Sequence, residues 1–212
     1  MKDFPVFTTE HGVASLILKQ IPYLGTSYVI LRDSLEPGLL ARECGDFCRA
    51  CGAEEIYASG HPVLEKYPFF TAMWEMSCLR ENLPDTDAAL WPVQEGTLPR
   101  WLEIYNEKVR RVPNGAWMTR ADGRSMLEKG DGYFIHRGES LLGIGRASAD
   151  RIDWVASILP GAGPDVVKAL AHAVTEDTVT LSVASVNPKA VWLYTQLGFL
   201  KTKEISRWYR IR

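Results

Sequence analysis

The stretch Asn187-Pro188-Lys189-Ala190-Val191-Trp192-Leu193-Tyr194-Thr195-Gln196-Leu197-Gly198-Phe199 decides the fold. Asn187 suits an N-cap, because a short polar side chain can accept from the first unpaired helical amides. Pro188 suits the first helical position, where a missing N–H costs nothing. Gly198 ends the helix, and Phe199 starts an extended segment. Asn187, Ala190, Tyr194 and Leu197 are spaced by three, four and three, so they share one helix face. A polar cap, a small residue and a phenol on one stripe leave room for a ligand chain. An ordinary core helix, with Tyr194 as an amphipathic core residue, shows the same stripe.

Working outward, Thr178 to Ser185 reads as a strand feeding this helix, and Phe199 to Arg210 as a strand leaving it. Further upstream, Ile152 to Leu159 is a strongly apolar strand. The loop Pro160-Gly161-Ala162-Gly163-Pro164 separates it from a helix over Asp165 to Val174. Glycines there allow close backbone approach to a ligand, and helix-start amides can hold a phosphate. A tight turn with nothing bound is the plainer reading of the same residues. Gly132 to Arg137 and Ser140 to Ala147 form an expected hairpin. Thr97 is expected to cap a helix carrying Trp101, Ile104, Tyr105, Lys108 and Val109. Asn114-Gly115 and Asp122-Gly123 read as punctuation of a strand or loop.

The N-terminal part reads more weakly. Met1 to Thr26 is irregular, and Tyr28 to Leu31 is a strand. A helix opens at Ser34 and Pro37 and runs to about Cys51. Glu54 to Ser59 is a strand, His61-Pro62 opens a short helix, and Phe70 to Cys78 is a third strand. Ala58-Ser59-Gly60-His61-Pro62 echoes Ala184-Ser185-Val186-Asn187-Pro188, each after a helix and a strand, as a degenerate half-repeat would. A polar connector over 80–87 marks an expected boundary, giving an N-terminal segment 1–82 and a domain 83–212. The first carries 7 Lys and Arg against 11 Asp and Glu, and the second 17 against 15. The second is therefore the better host for an anionic ligand.

This order of elements predicts an α/β (α+β) fold, a mixed and mostly antiparallel sheet flanked by helices. Composition agrees with a folded chain: 46% of the 212 residues are hydrophobic, 24% are charged, and the net charge is −2. That balance gives no reason to expect nucleic acid. No apolar run reaches the roughly 18 residues of a membrane span. The start of the chain shows no signal-peptide h-region. Four cysteines are too few for a disulfide scaffold, so a reducing, cytoplasmic setting is expected.

Residues 88–212 resemble the GNAT (GCN5-related) N-acetyltransferases. The resemblance rests on the Leu181-Ser182-Val183 strand, the Asn187/Ala190/Leu193-Tyr194/Leu197-Gly198-Phe199 helix and the Gly161-x-Gly163 loop. It implies a sheet splayed open before the loop, with acetyl-CoA as co-substrate in the opening. Pantetheine would pair with the backbone near Ile158 and Leu159. The pyrophosphate would rest on the amides of Gly161, Ala162, Gly163, Pro164 and Asp165. Asn187 would bond the pantetheine arm beside Ala190. Tyr194 would act as general acid for the departing thiolate, a role suited to a phenol of pKa near ~10.

Two residues depart from the family pattern. Pro160 stands where Arg or Gln is usual, and Asp165 where a second Gly or Ala is usual. A carboxylate in the first helical turn repels a phosphate. For the general base, strict alternation along Arg151 to Leu159 places Asp153 on one face with Ser157 and Leu159. A solvent-facing carboxylate paired with Arg151 is the plainer reading of Asp153. His136, on the hairpin, is a lesser alternative. The segment 110–124, with Trp117, is the expected acceptor wall. Its Arg110, Arg111, Arg120 and Arg124 favour an acceptor carboxylate or form a solvated basic loop.

The expected reaction is direct acetyl transfer from acetyl-CoA to a primary amine, on a small molecule or peptide. The alternative is a GNAT-fold protein that binds CoA or a partner without catalysis. A more distant one is a radical SAM enzyme, since Cys44-x3-Cys48-x2-Cys51 has the spacing of an iron–sulfur motif. Against that, Leu40, Cys44, Phe47, Cys48 and Cys51 make one apolar helical stripe. The dispersed histidines His11, His61, His136 and His172 show no metal-ligand spacing. If two chains pair, the β-rich stretch Ile205 to Ile211 is the expected edge.

Overall fold

In the computed structural model, which describes residues 5–110, 112 and 114–211, the N-terminal stretch expected to be irregular is a hairpin. β1 (Val6–Thr9) pairs antiparallel with β2 (Gly12–Ile17). Ala14, Ser15 and Leu16 are all buried, so the run lacks the alternation by which a strand is recognised. After a single helical turn, α1 (Ile21–Leu24), come β3 (Thr26–Ser34), α2 (Pro37–Ala50) and β4 (Glu55–Ser59). A 3₁₀ turn (Pro62–Lys66) leads into β5 (Phe69–Leu79).

Next come β6 (Ala89–Pro92), α3 (Leu98–Val109) and α4 (Arg120–Lys129). They lead to the hairpin β7 (Gly132–Arg137) and β8 (Ser140–Ala147), then β9 (Arg151–Ser157) and α5 (Gly163–Ala171). The chain closes with β10 (Thr178–Ala184), α6 (Pro188–Gln196) and β11 (Leu200–Arg210). α4 corrects the expectation of a strand or loop around Asp122-Gly123. Thr119 and Asp122 form a reciprocal capping box that starts this helix. Gly123 is an interior position against Leu98 and Leu102 of α3.

The residues divide into two units, one running to Met73 and resuming at Glu204, the other Trp74–Lys203. The division falls inside β5 and β11. In the first unit the strand order is β1-β2-β3-β4-β11. β3 and β4 are parallel over five pairs, from Thr26↔Glu55 to Ile30↔Ser59. α2 covers one face through Leu40, Ala41, Cys44 and Cys48, against Val29, Leu31 and Ile56. Tyr209 and Arg210 of β11 pair with Ala58 and Tyr57 of β4, so this end of the C-terminal strand is not an edge.

In the second unit the order is β5-β10-β9-β8-β7-β6. One core lies between the sheet and α5, with Val166, Val167 and Leu170 packed on Ile135, Ile152 and Leu181. A second lies under α3 and α4, around Trp101, Ile104, Met126 and Ile144. α5 sits directly on the backbone of β8: a Cβ at Gly143 would lie 2.6 Å from Val166 Cγ2 and 2.5 Å from the Ala156 carbonyl. This close approach fixes where the N-terminus of α5 points.

A bulge follows the last pair of both β3–β4 and β9–β10. Asp33 pairs with Val13 and Leu31 with Ala14, which leaves Arg32 as the extra residue of β3. Trp154 pairs with Arg146 and Ile152 with Ala147, which leaves Asp153 as the extra residue of β9. An extra residue bends its strand and raises the local twist.

Candidate active site

β9 and β10 are paired only at Thr180↔Arg151 and Leu181↔Ile152, among the described residues. The Asp153 bulge follows at once, and the two strands part. The bulge also shifts the phase of β9. Ile152 and Val155 both enter the α5 core, while Trp154 and Ile158 enter the α3/α4 core. The expected shared face of Asp153, Ser157 and Leu159 is therefore corrected, because alternation does not survive an inserted residue. Arg151 spans the vertex: its Nη2 donates to Ser182 Oγ on β10 at 2.8 Å, and its Nε lies 3.3 Å from Asp153 Oδ1. The Arg151–Asp153 pair is the plainer reading of the sequence, whereas the bulge and the bond to Ser182 have no local signal.

At the far end of β9 the amides of Ile158 and Leu159 both reach the Leu142 carbonyl, at 2.8 and 3.4 Å. Both are committed to β8. The backbone of β9 that lacks a β10 partner is that of residues 153–157. In the loop the Ala162 amide donates to the Leu159 carbonyl at 3.2 Å, and Pro164 has no N–H. The amides of Gly161, Gly163 and Asp165 are left without a carbonyl partner among the described residues. Gly161, at φ 81°, faces open space. Gly163 packs beside Leu193 of α6, which brings the start of α5 against the Tyr194 helix.

Asp165 is not a bare charge in this loop. Arg137 Nη2 lies 2.9 Å and Lys168 Nζ 3.0 Å from its carboxylate. Partial burial pushes its carboxyl up, but the Lys168 and Arg137 cations outweigh that and hold it below its ordinary value. Lys168, and Arg137 shared with Asp87 at 2.6 Å, balance the Asp165 charge and so offset the repulsion expected toward a phosphate.

Asn187 caps α6 as its sequence suggests, its Oδ1 accepting from the Ala190 amide at 3.2 Å. Its side-chain N–H groups remain donors. Ala190 is half-buried against the α5 core. Tyr194 belongs to that core and is 6% exposed. Burial pushes its phenol well above the ordinary tyrosine value, so at neutral pH it is protonated and able to donate.

Asp153 is exposed, held by Arg151 and by Ser148 Oγ at 3.4 Å. His136 stacks on Trp91, ring centroids 4.9 Å apart, two strands away from β9. On the α3/α4 side, Tyr105 and Trp154 rings meet at 4.4 Å. Tyr105 donates to the Ala116 carbonyl at 2.9 Å, and the buried Asn106 bonds both the carbonyl and the amide of Met118, at 2.9 and 3.0 Å. The segment expected to form the acceptor wall is thus pinned to α3. Asn106 was overlooked because an asparagine inside an amphipathic helix ordinarily marks its solvated side. Arg110 lies over the Trp117 ring at 4.9 Å. Arg111 lies outside the described residues. Half-buried Arg146 pairs with buried Asp131 at 2.6 Å.

Cys44 and Cys48 are buried in the α2 core, and Cys51 is exposed. Burial pushes the Cys44 thiol up to about 12 and raises Cys48 as well. Among the described residues no three His, Cys, Asp or Glu are grouped as metal ligands. None of the helices is long and apolar enough to cross a membrane.

No protein-family model and no curated protein sequence matches the chain. Solved structures do. A conserved protein of unknown function from Staphylococcus epidermidis shares 13% identity over 99% of this chain and 94% of its own, with a TM-score of 0.62. A GCN5-related N-acetyltransferase from Anabaena variabilis shares 14%, over 98% of this chain and 62% of its own, with a TM-score of 0.59. Another from Sphaerobacter thermophilus shares 14%, over 94% and 76%, with a TM-score of 0.55. With a mixed, mostly antiparallel sheet that parts at β9 and β10, the chain has the GNAT fold.

Proposed function

We propose that the chain is an acyl-CoA-dependent N-acyltransferase that moves an acetyl group from acetyl-CoA to a primary amine. The observation that supports it best is the parting of β9 from β10 after two pairs, with Tyr194 buried in the core cluster that holds Ile152 and Leu181 of the same two strands. Acetyl-CoA supplies the thioester carbonyl. The unpartnered backbone of residues 153–157 would bind its extended arm, with Asn187 as a further donor. The amides of Gly161, Gly163 and Asp165 would take the pyrophosphate, with the Asp165 charge balanced by Arg137 and Lys168. Tyr194 would hold its proton for the leaving thiolate, and Asp153 at the bulge would accept the amine's proton, directly or through water. The residues fit the co-substrate at the strand opening better than at the phosphate loop.

One observation favours a second reading, a GNAT-fold protein that binds without catalysis. Pro164 and the committed Ile158, Leu159 and Ala162 amides leave the loop with few donors. Thermal unfolding across an acetyl-CoA series decides whether the co-substrate binds. At 100 times the dissociation constant, binding adds about 2.7 kcal/mol, or about 5–10 °C at this chain length. A graded rise followed by turnover in an amine screen supports the enzyme. A rise without turnover on any amine supports the second reading, and no rise up to millimolar concentrations removes both.

A further inference from the structure

The first unit holds a cleft of its own, at the bulge in β3. β4 ends at Ser59, while β3 runs on through Arg32 to Ser34. The chain leaves β4 through Gly60, at φ 103°, so close to β3 that a Cβ there would collide with the Leu31 carbonyl. Past that crossing lies a cavity of about 540 Å³, within the roughly 300–1,000 Å³ usual for small ligands. It lies at the carboxyl ends of the parallel pair β3 and β4, where open α/β sheets hold ligands.

Its lining has two characters. Ile30, Pro62, Ile205 and Trp208 supply an apolar wall. Arg32, Ser59, His61 and Ser206 supply convergent polar groups. Arg32 Nε donates to Ser15 Oγ at 3.1 Å, which orients the guanidinium and leaves its two terminal nitrogens. Among the described residues no carboxylate lies within ion-pair distance of it. Glu204, also in the lining, is gripped by Arg207 at 2.9 and 3.2 Å. His61 Nδ1 accepts from the Val63 amide at 3.1 Å, so the neutral ring carries its hydrogen on Nε2, as a donor. Glu65 also lines the cleft and disfavours a second anionic group.

We infer that this cleft binds a small organic monoanion, a carboxylate or phosphate ester on an apolar body, with Arg32 as the bidentate grip. The inference stands apart from the acetyl-CoA reading, since every residue it uses lies in the first unit. Benzoate and inorganic phosphate are the probes, titrated into the full chain with thermal unfolding and backbone hydrogen exchange as readouts.

Benzoate is expected to raise the melting temperature in a saturable way and to slow exchange at 31–33 and 60–63. Arg32→Gln is expected to weaken benzoate at least tenfold while retaining the wild-type melting temperature without probe. The exchange pattern of the wild type decides the matter even if that variant folds poorly. Equal binding by wild type and Arg32→Gln, no response to benzoate, or a response to phosphate alone each overturns the inference. So does competition between benzoate and acetyl-CoA, which would place the probe in the second unit.

Discussion

Arg137, at the end of β7, reaches Asp165 in the first turn of α5 at 2.9 Å and Asp87 at 2.6 Å. A hairpin residue thus sets the charge presented by the loop between β9 and α5, which the proposed function assigns to the pyrophosphate. Arg137→Ala is expected to weaken acetyl-CoA about two- to fivefold, the usual reach of one charge at a helix N-terminus. Stability should change little, because Arg137 and Asp87 are exposed and Lys168 still pairs with Asp165. Affinity measured at low and high salt checks this: the gap between variant and wild type should narrow as salt rises. A gap indifferent to salt would mean Arg137 does not act through charge.

Tyr194→Phe keeps the ring that fills the core and removes only the hydroxyl. Turnover should fall about 10²–10⁴-fold, the range for losing one general acid, with acetyl-CoA affinity retained. Steady-state kinetics beside a thermal-shift titration separates the two effects. Unchanged turnover takes the phenol out of the chemistry.

Asn106→Ala strands a buried amide and a buried carbonyl at Met118. Each unpaired group costs about 1–3 kcal/mol, so the melting temperature should drop by several degrees. Limited proteolysis should cut first within 114–119, because the tether to α3 is gone. An unchanged cleavage pattern would show that Tyr105 alone holds the wall.

The chain should unfold in alkali. Burial raises Tyr28 and Tyr105 to about 12, while an unfolded tyrosine loses its proton near ~10. Below pH ~10 these two tyrosines hold the proton in both states and contribute no slope. Between about 10 and about 12 the unfolded chain binds fewer protons than the folded one, so stability falls as pH rises. Melting temperatures across pH 9–12 test this, and Tyr105→Phe should flatten the fall.

The helix at 188–196 and its cap were legible because capping and periodicity are local: Asn187, Pro188 and Gly198 act on their neighbours. The β7–β8 hairpin and α5 were legible for the same reason. What escaped reading depends on distant partners. Asp153 looks like an alternating strand residue until Arg146 and Ala147 show that it has no partner of its own. Arg137 meets Asp165 only through the sheet. Asp122-Gly123 resembles a turn until Thr119 supplies the other half of its capping box. His61 and Asn187, the matching positions of the 58–62 and 184–188 stretches, each cap the element that follows a parallel strand.

The parallel pairs β3–β4 and β9–β10 each carry one surplus residue in their first strand, but at different depths. In β3 it comes seventh, after five pairs have closed; in β9 it comes third, after two. The location of a single insertion therefore acts as a dial. Set late, it leaves a zipped scaffold with a shallow recess at its tip; set early, it unzips the pair almost from its base. Moving the surplus residue of β3 four positions toward Thr26 is then a recipe for building a second deep slot into the same chain.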